Sequence, residues 1–121
     1  MSGDLRNDLL YGSLPASVKY AVIDNASSGD NTIVAAVTGK KIRVLAYMYV
    51  CAGTVTVRFE SGASGDALTG QKSWIANTGA CANFNPAGWF ETEEGELLNM
   101  ELSAAISVDG HLTYIEIGDE I

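Results

Sequence analysis

Hydrophobic and polar positions alternate along most of the chain with a period of two, the spacing that puts one side of a strand in a core. Residues 54–60 (TVTVRFE) show it most plainly, with Val55, Val57 and Phe59 on one face and Thr56, Arg58 and Glu60 on the other. Strands are also expected at 18–23 (VKYAVI), 32–37 (TIVAAV) and 42–51 (IRVLAYMYVC), and near 72–77, 82–85, 88–92, 97–102, 105–108 and 111–117. A helical stripe lasting three turns is missing; residues 4–11 offer only a short possibility.

Turn residues punctuate these runs. Residues 24–31 (DNASSGDN) read as a loop, Thr38-Gly39-Lys40 as a tight reversal, and Ala52-Gly53 as a connection at hairpin spacing. Asp109-Gly110 is the strongest two-residue hairpin signal, because both residues tolerate positive φ. Residues 61–67 (SGASGDA) read as an exposed, mobile loop. Short strands with turns every 8–12 residues, and no helix to carry a parallel crossover, predict an all-β antiparallel sandwich of jelly-roll-like type. Residues 17–121 would form that domain. Residues 1–16, with Leu5, Leu9, Leu10, Tyr11 and Leu14 among charges, would form a short extended arm lying on its own sandwich or on a neighbour.

The stretch 42–51 departs from simple alternation. One face reads Ile42, Val44, Ala46, Met48, Val50; the other reads Arg43, Leu45, Tyr47, Tyr49, Cys51. A half-wet strand has one polar face, and this one has none. Residues 111–117 are similar, with Leu112 and Tyr114 on one side and Ile115 and Ile117 on the other. Either the arm covers the second face or another subunit does. Tyrosine suits an interface, where the ring is buried and the hydroxyl finds a partner. The contact residues expected on this reading are Leu9, Leu10 and Tyr11 of the arm with Leu45, Tyr47 and Tyr49 of the strand.

Composition narrows the function. The 121 residues make one domain, 47% hydrophobic and 18% charged, so the chain folds rather than staying disordered. The net charge of -8 makes nucleic acid an unfavourable partner. The charge is uneven: residues 1–60 carry six bases against five acids, and residues 61–121 carry Lys72 alone against ten acids. If that split survives folding, it favours a basic partner surface or head-to-tail packing. No apolar run reaches the ~18 residues that span a bilayer. The opening MSGDLRNDLLYGSLPAS lacks a basic start and apolar core, so assembly in a cytoplasm is expected. Cys51 and Cys81 make no disulfide framework and read as two reduced, partly buried thiols.

Catalytic patterns are weak throughout, and the chain is expected not to be an enzyme and to carry no cofactor or metal. His111 is the one histidine, with no G-x-S-x-G nucleophile elbow to serve. Glu91, Glu93, Glu94 and Glu96 surround Gly95 without a calcium-loop pattern and read as a solvated turn. Glu91 with Glu101 is a formal carboxylate pair of the glycosidase kind, which any acidic chain offers. Gly39-Lys40-Lys41 lacks the rest of a phosphate loop and reads as a basic corner that, with Arg43, would meet an acidic neighbour. Trp74, Phe84, Trp89 and Phe90 read as core plugs, or else as a sugar-stacking set.

The strings TIVAAVTGKKIRVLAY (32–47), VTVRFESGASGDALTG (55–70), NPAGWFETEEGELLNMELSAAISV (85–108) and GHLTYIEI (110–117) resemble small tailed-bacteriophage virion proteins of the capsid-decoration, or cement, type. The resemblance covers residues 17–117. It implies a jelly-roll-like homotrimer on the capsid surface that contacts the major capsid protein and bridges capsomers, assembled in the host bacterial cytoplasm. It transfers no binding residue to a particular position. The alternative is a tail or fibre-tip module of the same virion that recognises host surface glycan, with Trp74 and Trp89 exposed.

Overall fold

The computed structural model describes residues 8–11 and 14–118, with side chains from Ala16 onward. Every helix or strand among them is a strand. In chain order they are β1 (Asp8–Tyr11), β2 (Leu14–Ser17), β3 (Lys19–Asn25), β4 (Gly29–Val34), β5 (Lys40–Cys51) and β6 (Val55–Ser61). Then come β7 (Asp66–Ala67), β8 (Lys72–Trp74), β9 (Thr78–Ala82), β10 (Phe90–Glu91), β11 (Leu98–Leu102) and β12 (Val108–Gly118). The helical possibility at 4–11 is replaced, over Asp8–Tyr11, by β1, which pairs with β2 as an antiparallel ribbon.

Two antiparallel sheets make the sandwich. The first runs β3-β12-β5, and the far edge of β5 is shared by β9 along Tyr47–Cys51 and β10 along Arg43–Val44. The second runs β4-β11-β6, and the far edge of β6 is shared by β8 and β7. The pairing is nested. Early strand β3 pairs with late β12, β4 with β11, and β5 and β6 with the short strands between. Consecutive strands such as β3 and β4 therefore lie in different sheets, and the polypeptide crosses the core layer at each such step.

That nesting corrects two hairpin expectations. Residues 52–54 do not join paired strands, since β5 and β6 belong to opposite sheets. Both strands bury a full face, so each turns that face to the other across the core. Asp109-Gly110 is not a turn either; it lies inside β12, facing Val50 and Tyr49 of β5. Glycine is needed there for close approach, because a Cβ on Gly110 would stand 2.0 Å from the Met48 carbonyl oxygen. The Thr38–Lys40 reversal is present, with Gly39 at φ 77° and the Lys40 amide donating to the Val37 carbonyl. The 61–67 loop is tethered: Ser64 donates from its amide and its hydroxyl to Asp30.

The apolar doubling of 42–51 has a geometric cause. Opposite β12 the register slips once, with Thr113 facing Ala46 and Tyr114 facing Val44. Leu45 is the extra residue of a β-bulge, and a bulge resets which parity points inward. Before it, Ile42 and Val44 enter the core; after it, Tyr47, Tyr49 and Cys51 do. One strand thus feeds the core from both of its sequence faces.

The core is a layer of Ile, Leu, Val and Met crossed by an aromatic string. Phe90 packs on Phe59 at 4.9 Å between centroids, Phe59 on Tyr47 at 5.3 Å, and Tyr49 stands edge-on to Trp74 at 6.1 Å. Tyr49 is 1% exposed, and burial drives its hydroxyl pKa up to about 12. Its oxygen accepts a hydrogen bond from Trp74 Nε1 at 3.3 Å, which satisfies a hydroxyl that water does not reach.

Candidate functional site

The outer face of the first sheet is covered at one end and bare at the other. At the covered end Leu45 and Ile115 are both fully buried beneath Ala16 of β2, with Val18 and Ile117 packed alongside. Ala16, the part of the leader whose side chain is described, therefore lies on its own sandwich. The side chains of Leu9, Leu10 and Tyr11 lie outside the described residues. Leu45, Tyr47 and Tyr49 do not form an outward contact surface. The bulge turns both tyrosines into the interior, and β2 closes over Leu45.

Past β2 the same face is open. The registers place Tyr20, Thr113 and Ala46 in one row across β3, β12 and β5. Val22, His111, Met48 and Cys81 form the next, and Asp24, Asp109, Val50 and Gly79 the third. Tyr20 is 67% and Val22 74% exposed, and Val50 and Phe84 are also exposed. Between these rows and the 81–84 segment runs a groove of about 180 Å³ lined by Met48, Cys81, Phe84, His111 and Thr113 among others. The β3 strand is a sheet edge. Proteins commonly guard such an edge with proline, bulges or inward charges; here two large apolar side chains stand on the exposed face beside it. Sequence reading overlooked Tyr20 and Val22, although VKYAVI carries the same two-faced pattern that singled out 42–51.

The opposite, outer face of the second sheet is polar. Asp30, Glu60 and Glu101 bring carboxylate oxygens within 4.8 Å of one another. Glu60 is 1% exposed and is held by Arg58 Nε at 2.6 Å and by the Asn99 amide at 2.9 Å. The same amide donates to Asp30 at 2.8 Å, and the Asn99 oxygen accepts from the Asn31 backbone. Hydrogen bonds from Ser64 hold Asp30 below its ordinary pKa. Burial, then a hydrogen bond with Asp30 and the charges of Glu60 and Asp30, push Glu101 above its own. Oxygen clusters suit hard cations, but these oxygens are already engaged by Arg58, Asn99 and Ser64, and the cluster acts as a strut between β4, β11 and β6.

The remaining candidates separate. Glu91 is bound by Arg43 at 2.7 Å and by Lys41 at 3.5 Å, so this part of the basic corner is neutralised within the chain. Phe90 and Met100 point into the core, so their neighbours Glu91 and Glu101 point out on opposite faces of the sandwich and form no catalytic pair. Glu93, Glu94 and Glu96 are exposed around Gly95. Trp74 and Phe90 belong to the core; Trp89 and Phe84 are about half exposed. His111 is exposed on a central strand. Cys51 is a buried free thiol, whereas Cys81 is an exposed one on β9 rather than in a loop.

No family model, no curated protein and no solved structure matches the chain. The class that can be stated is therefore the architecture: an all-β sandwich with one bare apolar face and one acidic face.

Proposed function

We propose that the chain is a structural virion protein of a tailed bacteriophage, a capsid decoration subunit that stabilises the head by bridging capsomers as an oligomer. The observation that carries this reading is the bare end of the first sheet. An apolar surface of this kind, next to an open strand edge, is adhesive. The rows nearest that edge hold His111 as a titratable side chain, with the carboxylates Asp24 and Asp109 kept to one border. The acidic cluster lies on the other side and suits a face turned to solvent. The nested strand order supports a jelly-roll description, the form the resemblance implies.

The reading gives the protein a mechanical task. Packaged DNA presses outward on a shell, and added contacts across capsomer boundaries resist it without chemistry. Single contacts are modest; a trimer engages several at once, and avidity multiplies them. The major capsid protein is the proposed partner and the capsid surface the proposed location. For the fibre-tip alternative, the exposure of Trp89 and Phe84 speaks in favour and the burial of Trp74 against Tyr49 speaks against.

The test is co-sedimentation of purified protein with phage heads stripped of it, using wild type and the Tyr20→Asp/Val22→Glu variant. Wild type is expected to pellet with heads, and the variant to stay in solution with an unchanged melting temperature. Equal binding by both would remove the first sheet as the docking face. No binding by wild type, with attachment to host cells instead, would replace the reading by the fibre-tip one.

A further inference from the structure

We infer that Cys81, Met48 and His111 form a binding site for a soft monovalent metal ion, Cu(I). The three residues sit directly opposite one another on adjacent strands β9, β5 and β12, with Met48 central to both pairings. All three line the same outer groove, and Cys81 and His111 are exposed. A thiolate, a thioether and an imidazole on one face are the donor set that selects Cu(I) over harder ions.

Geometry and charge both fit. Strands lie about 4.8 Å apart, so Cys81 and His111 are separated by about 9.6 Å of sheet with Met48 between them. Metal bonds of about 2.0 Å to nitrogen and 2.3 Å to sulfur close that span when the outer two side chains lean over the centre. The thioether on its three-bond stem then rises to the ion from below. Apart from His111 and Cys81, the groove is lined by Ala46, Tyr47, Met48, Ala82, Asn83, Phe84 and Thr113, so it contributes no carboxylate. One thiolate neutralises one monovalent ion in this apolar setting; a divalent ion would keep a net charge there. Binding replaces the thiol proton: Cys81–SH and Cu(I) give Cys81–S–Cu and one proton released. The nearest carboxylates, Asp24 and Asp109, occupy the next row and face each other. The Thr113 hydroxyl, enclosed and without a partner among the described residues, lines the same groove and remains available to a guest.

The inference does not depend on the capsid reading, since the free subunit carries all three donors. The experiment is an anaerobic Cu(I) titration of the reduced protein against bicinchoninate, followed in the ultraviolet for thiolate-to-metal charge transfer. Wild type is expected to take one equivalent, show the band and release one proton. Cys81→Ser should abolish the band, Met48→Leu and His111→Gln should each weaken binding at least about tenfold, and Cys51→Ala should change neither. Thermal melts of the variants check that each still folds. Failure of wild type to compete with bicinchoninate, or affinity unmoved by Met48→Leu and His111→Gln, would overturn the site.

Discussion

Leu45→Ala tests the bulge and the β2 covering together. Leu45 is fully buried between Ala16 and Ile115, on the side of the sheet away from the main core. The substitution removes three carbons from that contact, a transfer loss of about 2.4 kcal/mol at ~0.8 kcal/mol per methylene. The space left under a short strand closes only in part, and a residual cavity of about 40 Å³ adds about 1 kcal/mol. The sum is about 3 kcal/mol, which lowers the melting temperature by roughly 12 °C for a domain of this size. Met48→Ala is the control, because Met48 lies on the same outer side of the same strand beyond β2 and is partly exposed. Its cost is expected to stay under about 1 kcal/mol. Calorimetry and urea unfolding at constant slope measure both, and limited proteolysis between residues 14 and 18 reports release of β2. A loss for Leu45→Ala no larger than that for Met48→Ala would show that nothing rests on the bulged side chain.

Further outcomes follow from the same packing. Gly110→Ala places a Cβ 2.0 Å from the Met48 carbonyl oxygen and 2.7 Å from the Tyr49 Cα, so backbone must shift; the urea midpoint should fall by the equivalent of about 1–3 kcal/mol. No comparable effect is expected for Gly70→Ala, which meets nothing within 4 Å. Tyr49→Asp puts a carboxylate beside Phe59 and Trp74; the cooperative near-ultraviolet dichroism melt should be lost, and a stable folded variant would contradict the interior placement. Glu101→Gln should stabilise the protein at pH 7. The Glu101 carboxyl has a raised pKa in the fold, so the folded state binds more protons than the unfolded one and wild-type stability declines as pH rises from the ordinary carboxylate value through the raised one. The advantage of the glutamine should shrink as pH falls through that window, and a pH-independent difference in melting temperature would exclude the mechanism.

Legibility in the sequence followed the local physics. The alternation of 54–60 survived intact as β6, because nothing interrupts its pleat. The doubled apolar pattern of 42–51 was visible, but its meaning was not. A one-residue bulge and an external second subunit write the same string, and only the pairing with β12 tells them apart. Asp109-Gly110 misled because glycine serves turns and close strand approach equally, and sequence shows only its small size. The Asp30, Glu60 and Glu101 cluster was invisible for another reason. Its members come from three strands whose order is set by nesting, a long-range property that no local spacing encodes.

Sedimentation velocity of the wild-type protein beside the Tyr20→Asp/Val22→Glu variant bears most directly on adhesion by the bare end of the first sheet. The account predicts an oligomer for wild type and a folded monomer for the variant. A monomeric wild type, or an oligomer that both proteins form alike, would contradict it.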